Sequence, residues 1–293
     1  MFIDASGFNQ VLMKAVGGKW KSYRDNLPVN GALPFLLPYE DDEVIQPVTN
    51  AWAQNNGWCW QIPPKNRRGC GYVFCDSFVT PDQAHAELEQ TLGRKVEPIR
   101  HIKFDSGRQE TLWIKNVLSI GLCAAFAEPL EATSIHTTIM QLKHFIYGSL
   151  GATRDQTCNE GTVEEYNKTN GHLYDTMKDF LVAHYTCGRR DTEFWKYIDS
   201  GATSTDFVRS IHEVCKHRVP NATLFPRQEG SAGWPLWSYV LAGTGALTSE
   251  VAEKEVMFNN DEQVGDSAYT YHIQDFDNMS KDLPDNTDYI RNM

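Results

Sequence analysis

The chain has 293 residues, of which 41% are apolar and 22% charged, and its formal net charge is −11. That is the composition of a globular protein with a real core, long enough for one large domain or two ordinary ones. The acidity excludes a nucleic-acid binder built on a basic stripe, and no run approaches the roughly 20 apolar residues of a membrane span.

The opening stretch "MFIDASGFNQ" has no basic region ahead of an apolar one and so no secretory-signal pattern. Seven cysteines lie between Cys59 and Cys215 without C-x-x-C spacing, which reads as thiol usage in a reducing, cytoplasmic setting.

In chain order, "MFID" reads as the last half of a buried strand and "ASGFN" as the glycine turn that ends it. A domain seldom opens inside its own core strand, so the expectation is a chain that starts mid-domain. From about 30 to 120 the texture is β: "ALPFLLPY", "GWCWQIP", "GYVFCDSFV" and "TLWIKNVLSIGL" are short apolar runs between Pro, Gly and Asn turns. One helix interrupts them near 80–93, with Thr80 as cap, Pro81 in the first turn, and Ala84, Leu88 and Leu92 on one face.

After Pro129 the texture becomes helical. Ile135, Ile139, Leu142 and Ile146 form one apolar stripe, expected to face a core. A second helix is expected to open with a Thr162–Glu165 capping box and to bury Val163, Tyr166, Asn170, Leu173, Met177, Phe180 and His184. A third, near 204–217, carries Phe207, Val208, Ile211 and Val214. The expected organisation is a sheet-rich part at 1–127, a helical region at 128–249 and an acidic, loosely structured tail at 250–293: strands first, helices after, an α+β arrangement.

Several common chemistries lack their motifs. "GTGALT" at 243–248 is not a dinucleotide fingerprint, and "GGKW" at 17–20 is not a phosphate-binding loop. His136 and His144 stand two helical turns apart without acidic neighbours at ligand spacing, so no metal site is expected. Two other stretches stand out. In "GWCWQIP", residues 57–63, Trp58 and Trp60 alternate on a strand and share one face, either core or the wall of an apolar cavity, and Pro63 ends the pairing. In "FAEPLEATSI", residues 126–135, Glu128 and Glu131 flank a Pro-Leu pair just before a helix start. There a carboxylate serves either to cap the helix dipole or to do chemistry, and the free N–H groups of Thr133 and Ser134 suit a small anion.

These stretches resemble a known family. "GWCWQIP" is similar to the W-x-W-x-I-P signature of the flavin-dependent, tryptophan-type halogenases. "FIDASGF" (2–8), "RRGCGYVFCDSFVTPDQA" (67–84), "LWIKNVLSIGLCAAFAEPLEATSI" (112–135) and "DFLVAHYTCGRRDTEFW" (179–195) resemble further family landmarks, in family order across about 1–245.

The resemblance implies an FAD-dependent monooxygenase fold of the glutathione-reductase and hydroxybenzoate-hydroxylase type, with a mixed and antiparallel sheet followed by a helical region. It implies that reduced FAD, oxygen and a halide (chloride, bromide or iodide) yield hypohalous acid, which crosses a tunnel and halogenates an electron-rich aromatic ring. By resemblance, Glu131 is the catalytic carboxylate, Thr133 and Ser134 hold the halide beside the flavin, and Gly7, Gly121 and Leu122 meet the cofactor. Trp58, Trp60, Ile62 and Pro63 would form the partition between flavin and tunnel, and Glu128 would be structural.

Ser134 stands where tryptophan-specific members have glycine. The stretch "VPNATLFPRQEGSAGWPLW" (219–237) lacks the aromatic pair that grips free tryptophan, so another aromatic substrate is expected. The family's G-x-G-x-x-G segment and tunnel lysine lie in an N-terminal portion that this sequence does not show. The expectation is a C-terminal part that needs its N-terminal half, in cis or in trans, and a separate flavin reductase, with homodimerisation left open. An aromatic monooxygenase and a non-catalytic half of a split enzyme are the alternatives.

Overall fold

The computed structural model describes every residue except 42, 151–158, 227–231, 260–261, 282, 284 and 293. The strands and helices in chain order are β1 (Phe2–Asp4), α1 (Val11–Ala15), β2 (Trp20–Ser22), β3 (Gly31–Leu37), β4 (Asn50–Gln54), β5 (Gly57–Ile62), β6 (Arg68–Phe74) and α2 (Pro81–Leu92). Then come β7 (Ile102–Lys103), β8 (Gly107–Gln109), β9 (Trp113–Ile114), β10 (Val117–Ser119) and β11 (Ala125–Phe126). The remainder is helical: α3 (Thr133–Lys143), α4 (Glu160–Tyr185), α5 (Glu193–Asp199), α6 (Asp206–Cys215), α7 (Trp234–Gly243), α8 (Ser249–Asn259), α9 (Glu262–Ser280) and α10 (Asn286–Asn292).

The main sheet is antiparallel, in the order β4-β5-β6-β3-β7. Because side chains alternate along a strand, its two faces carry different cores. Leu33, Phe35, Cys59, Cys70 and Tyr72 pack beneath Ala84 and Leu88 of α2. Trp58 and Val73 on the opposite face pack against Met177, Phe180 and Leu181 of α4, with Trp60 beside them. Trp58 and Trp60 therefore do share one face, their rings 6.0 Å apart. Gly71 makes room for the second: a Cβ there would come 2.0 Å from the Trp60 ring.

Two small sheets flank this body. β1 pairs in parallel with β10, which pairs with β9, and β8 lies between β11 and β2. Asp4 closes β1: burial alone would raise its carboxyl, but hydrogen bonds from Ser6 and from the N–H of Met13 outweigh that and bring it to about 2. Phe2 and Ile3, expected to be buried, are exposed, Phe2 by 60%.

α2 forms as the sequence predicts, with a Thr80–Gln83 capping box, Pro81 in its first turn and Gly93 in the left-handed region at its end. α4 is the long strut, 26 residues and so about 39 Å. Its buried stripe holds Tyr166, Asn170, Leu173, Met177 and Phe180 as expected. Its cap is Asn159, which accepts the Thr162 N–H at 2.8 Å, rather than a Thr162–Glu165 box. Asn accepts at this position as well as Thr does, so the helix starts a turn earlier. Asp175 on α4 takes a two-toothed hydrogen bond from Arg108 of β8 (2.9 and 3.1 Å) and another from Tyr23 (2.7 Å), which fastens the helix to the small sheet.

Two expectations fail. The apolar stripe of α3 faces outward: Ile135 is 73% exposed, and Ile139 and Ile146 are exposed too. The buried side is Thr133, Thr137 and Gln141, whose amide donates to the Ser119 carbonyl at 2.8 Å and whose oxygen accepts from Tyr174 at 3.0 Å. The segment from 250 is not loose where described: it carries α8, α9 and α10, and Thr287 and Asn286 hydrogen-bond both backbone groups of Ile45. Glu250, Asp275 and Asp277 are exposed on helices, which composition cannot distinguish from a coil. Among the described residues no helix is long and apolar enough to cross a membrane.

A candidate active site at the Glu128–Ser134 loop

β11 delivers the chain into a loop whose two carboxyl groups meet opposite environments. Glu128 is wholly buried. Its Oε1 accepts from the Tyr185 hydroxyl at 2.8 Å and from Trp58 Nε1 at 3.2 Å. Its Oε2 has no hydrogen-bond partner among the described residues. Burial pushes the carboxyl up to about 8, and the two donors offset only part of that.

Pro129 then opens a single 3₁₀ turn, Leu130–Ala132, and both Glu131 (φ 60°) and Ala132 (φ 49°) adopt the left-handed conformation. For a residue with a Cβ this costs about 1–2 kcal/mol, and such strain concentrates at functional loops. The result is a tight entry into α3. Ala132, whose N–H donates to the Pro129 carbonyl at 3.0 Å, leads directly into the right-handed Thr133 that opens α3. The first N–H groups of α3 also lack intrahelical acceptors.

Glu131 is half exposed, and its Oε1 lies 3.2 Å from His184 Nε2. The imidazole contact holds the Glu131 carboxyl below its ordinary value. Together they line an open pocket of about 390 Å³ whose walls include Trp52, Trp58, Tyr185 and Cys187. A larger recess of about 700 Å³, around Lys143, Tyr147 and Tyr166, holds none of the candidate side chains.

The sequence-predicted residues thus fall into four groups. Trp58 and Glu131 meet at the pocket. Thr133 and Ser134 line a separate cavity of about 10 Å³ beside Gly107, Ala125 and Ala127, space for about one water-sized occupant. Ile62 is exposed and Pro63 faces a recess beside Tyr39 and Arg68, so neither joins Trp58 at the wall. Alternation puts Ile62 on the face of Trp58 and Trp60, but it closes β5 and is 44% exposed, while Trp60 packs beside Trp58.

Gly7 (φ +65°) and Gly121 (φ +61°) sit in two 3₁₀ turns that pack together, Gly7–Asn9 and Gly121–Cys123, with Leu122 partly exposed. No atom lies within 4 Å of a Cβ added at Gly7, and at Gly121 the nearest is at 4.0 Å. The edge is open, and the neighbouring Phe8 is half exposed. His184 and Tyr185 are the participants that sequence reasoning did not single out for a role. Their one signal was position in the H-Y pair of the 179–195 stretch.

An α+β body with these features shares the FAD-dependent fold of flavin-dependent halogenases of known structure. A family model described as tryptophan halogenase matches residues 1–260, and the chain belongs to that family. It is 34% identical over 259 residues to tryptophan 6-halogenase SttH of Streptomyces toxytricini, covering 84% of this chain and 47% of that protein. It is also 34% identical over 205 residues to tryptophan 7-halogenase RebH of Lentzea aerocolonigenes, covering 67% of this chain and 37% of that one. The crystal structure of the Streptomyces toxytricini 6-halogenase superposes with a TM-score of 0.80 at 28% identity, over 100% of this chain and 57% of that chain. The chain spans about half the length of the curated relatives it matches.

Proposed function

We propose that the chain is the C-terminal part of a flavin-dependent halogenase acting on an electron-rich aromatic ring other than free tryptophan. The observation that carries this reading is the Glu131 carboxylate, at a pocket walled by Trp52 and Trp58, two residues from a helix N-terminus shaped to hold an anion. Glu131 accepts the proton that leaves the ring carbon as halogen replaces hydrogen. The N–H groups of Thr133 and Ser134 hold the halide on the far side of the loop. Trp58, with Trp60 behind it, separates the two compartments.

Bound FAD, reduced by a separate reductase, would supply the oxidising equivalents to the halide. Gly7, Gly121 and Leu122 would hold one face of its ring, while the nucleotide half of the site belongs to an N-terminal portion supplied in cis or in trans. The outward apolar side of α3, next to the Gly121 turn, supports a partner on that face. Part of the 219–237 stretch that bears on substrate choice, residues 227–231, lies outside the described residues.

The test joins this chain to an N-terminal half and supplies FAD, a reductase, oxygen and each halide with a panel of indoles and phenols. Halogenated product is expected, reduced about 100-fold or more by Glu131→Gln. Products carrying an added oxygen instead would overturn the reading.

A further inference from the structure

The two carboxyl groups of the loop are held by consecutive residues at the end of α4, Tyr185 for Glu128 and His184 for Glu131. His184 Nδ1 lies 2.9 Å from the Phe180 carbonyl, one helical turn back, so that nitrogen carries a hydrogen. The ring also meets Phe180 edge-on, centroids 4.8 Å apart, which fixes its plane. A bare Nε2 could not approach a carboxylate oxygen at 3.2 Å, since both would be acceptors. A hydrogen therefore lies between them.

We propose, resting on the halogenase reading above, that His184 is a positioning residue: Nε2–H donates to Glu131 Oε1 and fixes the carboxylate at the mouth of the pocket, while Tyr185 and Trp58 anchor Glu128 behind the wall. The loop alone does not set this division of labour, because Glu128 and Glu131 are three residues apart on one short turn. It comes from the end of α4, whose two successive side chains each take one carboxyl, Tyr185 holding Glu128 and His184 holding Glu131. Environments that drive two neighbouring carboxyl groups apart are how one site obtains a fixed neutral group and a working base.

The other titratable groups near the pair are few. Tyr185 and, through it, Glu128 lie on the core side, Cys187 lines the same pocket, and His212 of α6 meets the Thr186 hydroxyl at 3.2 Å. Arg189 sits over the outer ring of Trp195, 5.2 Å away. Among the described residues no lysine or arginine lines the pocket, which leaves His184 as the donor to Glu131 there.

The test uses this chain with ¹³C-labelled glutamate and ¹⁵N-labelled histidine. Long-range ¹⁵N–¹H spectra should show His184 protonated at Nε2, the nitrogen that faces Glu131. In His184→Phe the Glu131 carboxyl should titrate higher, because the close donor is lost, and His184→Gln, which keeps an N–H, should restore most of the shift. In the enzyme joined to its N-terminal half, the acidic limb of kcat should move up with the carboxyl while the aromatic substrate's KM stays put. An unchanged Glu131 titration in folded His184→Phe or an unprotonated Nε2 would overturn the proposal, even in an active halogenase. A shifted titration in a chain that never halogenates would uphold the pair and sink only the functional reading.

Discussion

Glu128 carries the clearest energetic consequence at the scale of single residues. Its carboxyl titrates near 8 in the folded chain against an ordinary value of 4.5, so between those limits the folded state binds a proton that the unfolded state has lost. The stability associated with that proton is fully present below about 4.5 and is lost as pH rises through about 8. Urea midpoints should therefore fall across that window, and Glu128→Gln, which keeps an oxygen acceptor for Trp58 and Tyr185, should flatten the fall. Tyr185→Phe deletes the shorter of the two hydrogen bonds and leaves Glu128 with Trp58 alone, and we expect a loss of about 1–3 kcal/mol. Neither effect is visible in the string "EPLEATS", where the two acids look alike. What separates them is contact with residues more than fifty positions away, Tyr185 for one and His184 for the other.

At the scale of elements, α3 shows where reading apolar periodicity goes wrong. The spacing of Ile135, Ile139, Leu142 and Ile146 specifies a helix with an apolar side, and the helix is there. Periodicity says which side is apolar but not what lies against it. In this chain the inner side is polar because Gln141 and Thr137 satisfy buried backbone and hydroxyl groups, while the isoleucines look outward next to the turns that hold Gly7 and Gly121. Replacing Ile135 and Ile139 by Glu should accordingly leave the thermal stability of the isolated chain within about 0.5 kcal/mol. The same pair of changes should abolish association with an N-terminal half in a pull-down or by calorimetry. Elements whose signals are local were legible to the residue: the Thr80 cap and Pro81 of α2, or the alternation that puts Trp58 and Trp60 on one face of β5. The start of α4 was not, because Asn159 and Thr162 are both good caps and only the three-dimensional chain chooses between them.

At the scale of the whole molecule, the antiparallel sheet and the helices behind it form a body with two cores, one under α2 and one under α4. The Glu128–Ser134 loop lies against the second, through Leu130. The order of strands and helices made the fold class legible, and the motif order made the family legible. The separation of Glu131 from Thr133 and Ser134 into different cavities was not, since residues two apart in sequence look inseparable until the left-handed pair at 131–132 turns the chain. If an N-terminal portion completes the proposed flavin site, adding it should tighten flavin binding at least tenfold in a fluorescence titration. The most direct test of the central claim is the mass spectrum of the product formed by the joined halves from an electron-rich aromatic in bromide, with and without Glu131→Gln. The account predicts the paired bromine isotope signature from the unaltered chain and its near disappearance in the variant. A bromine signature of equal strength in both, or none from a chain with flavin bound and turning over oxygen, would contradict it.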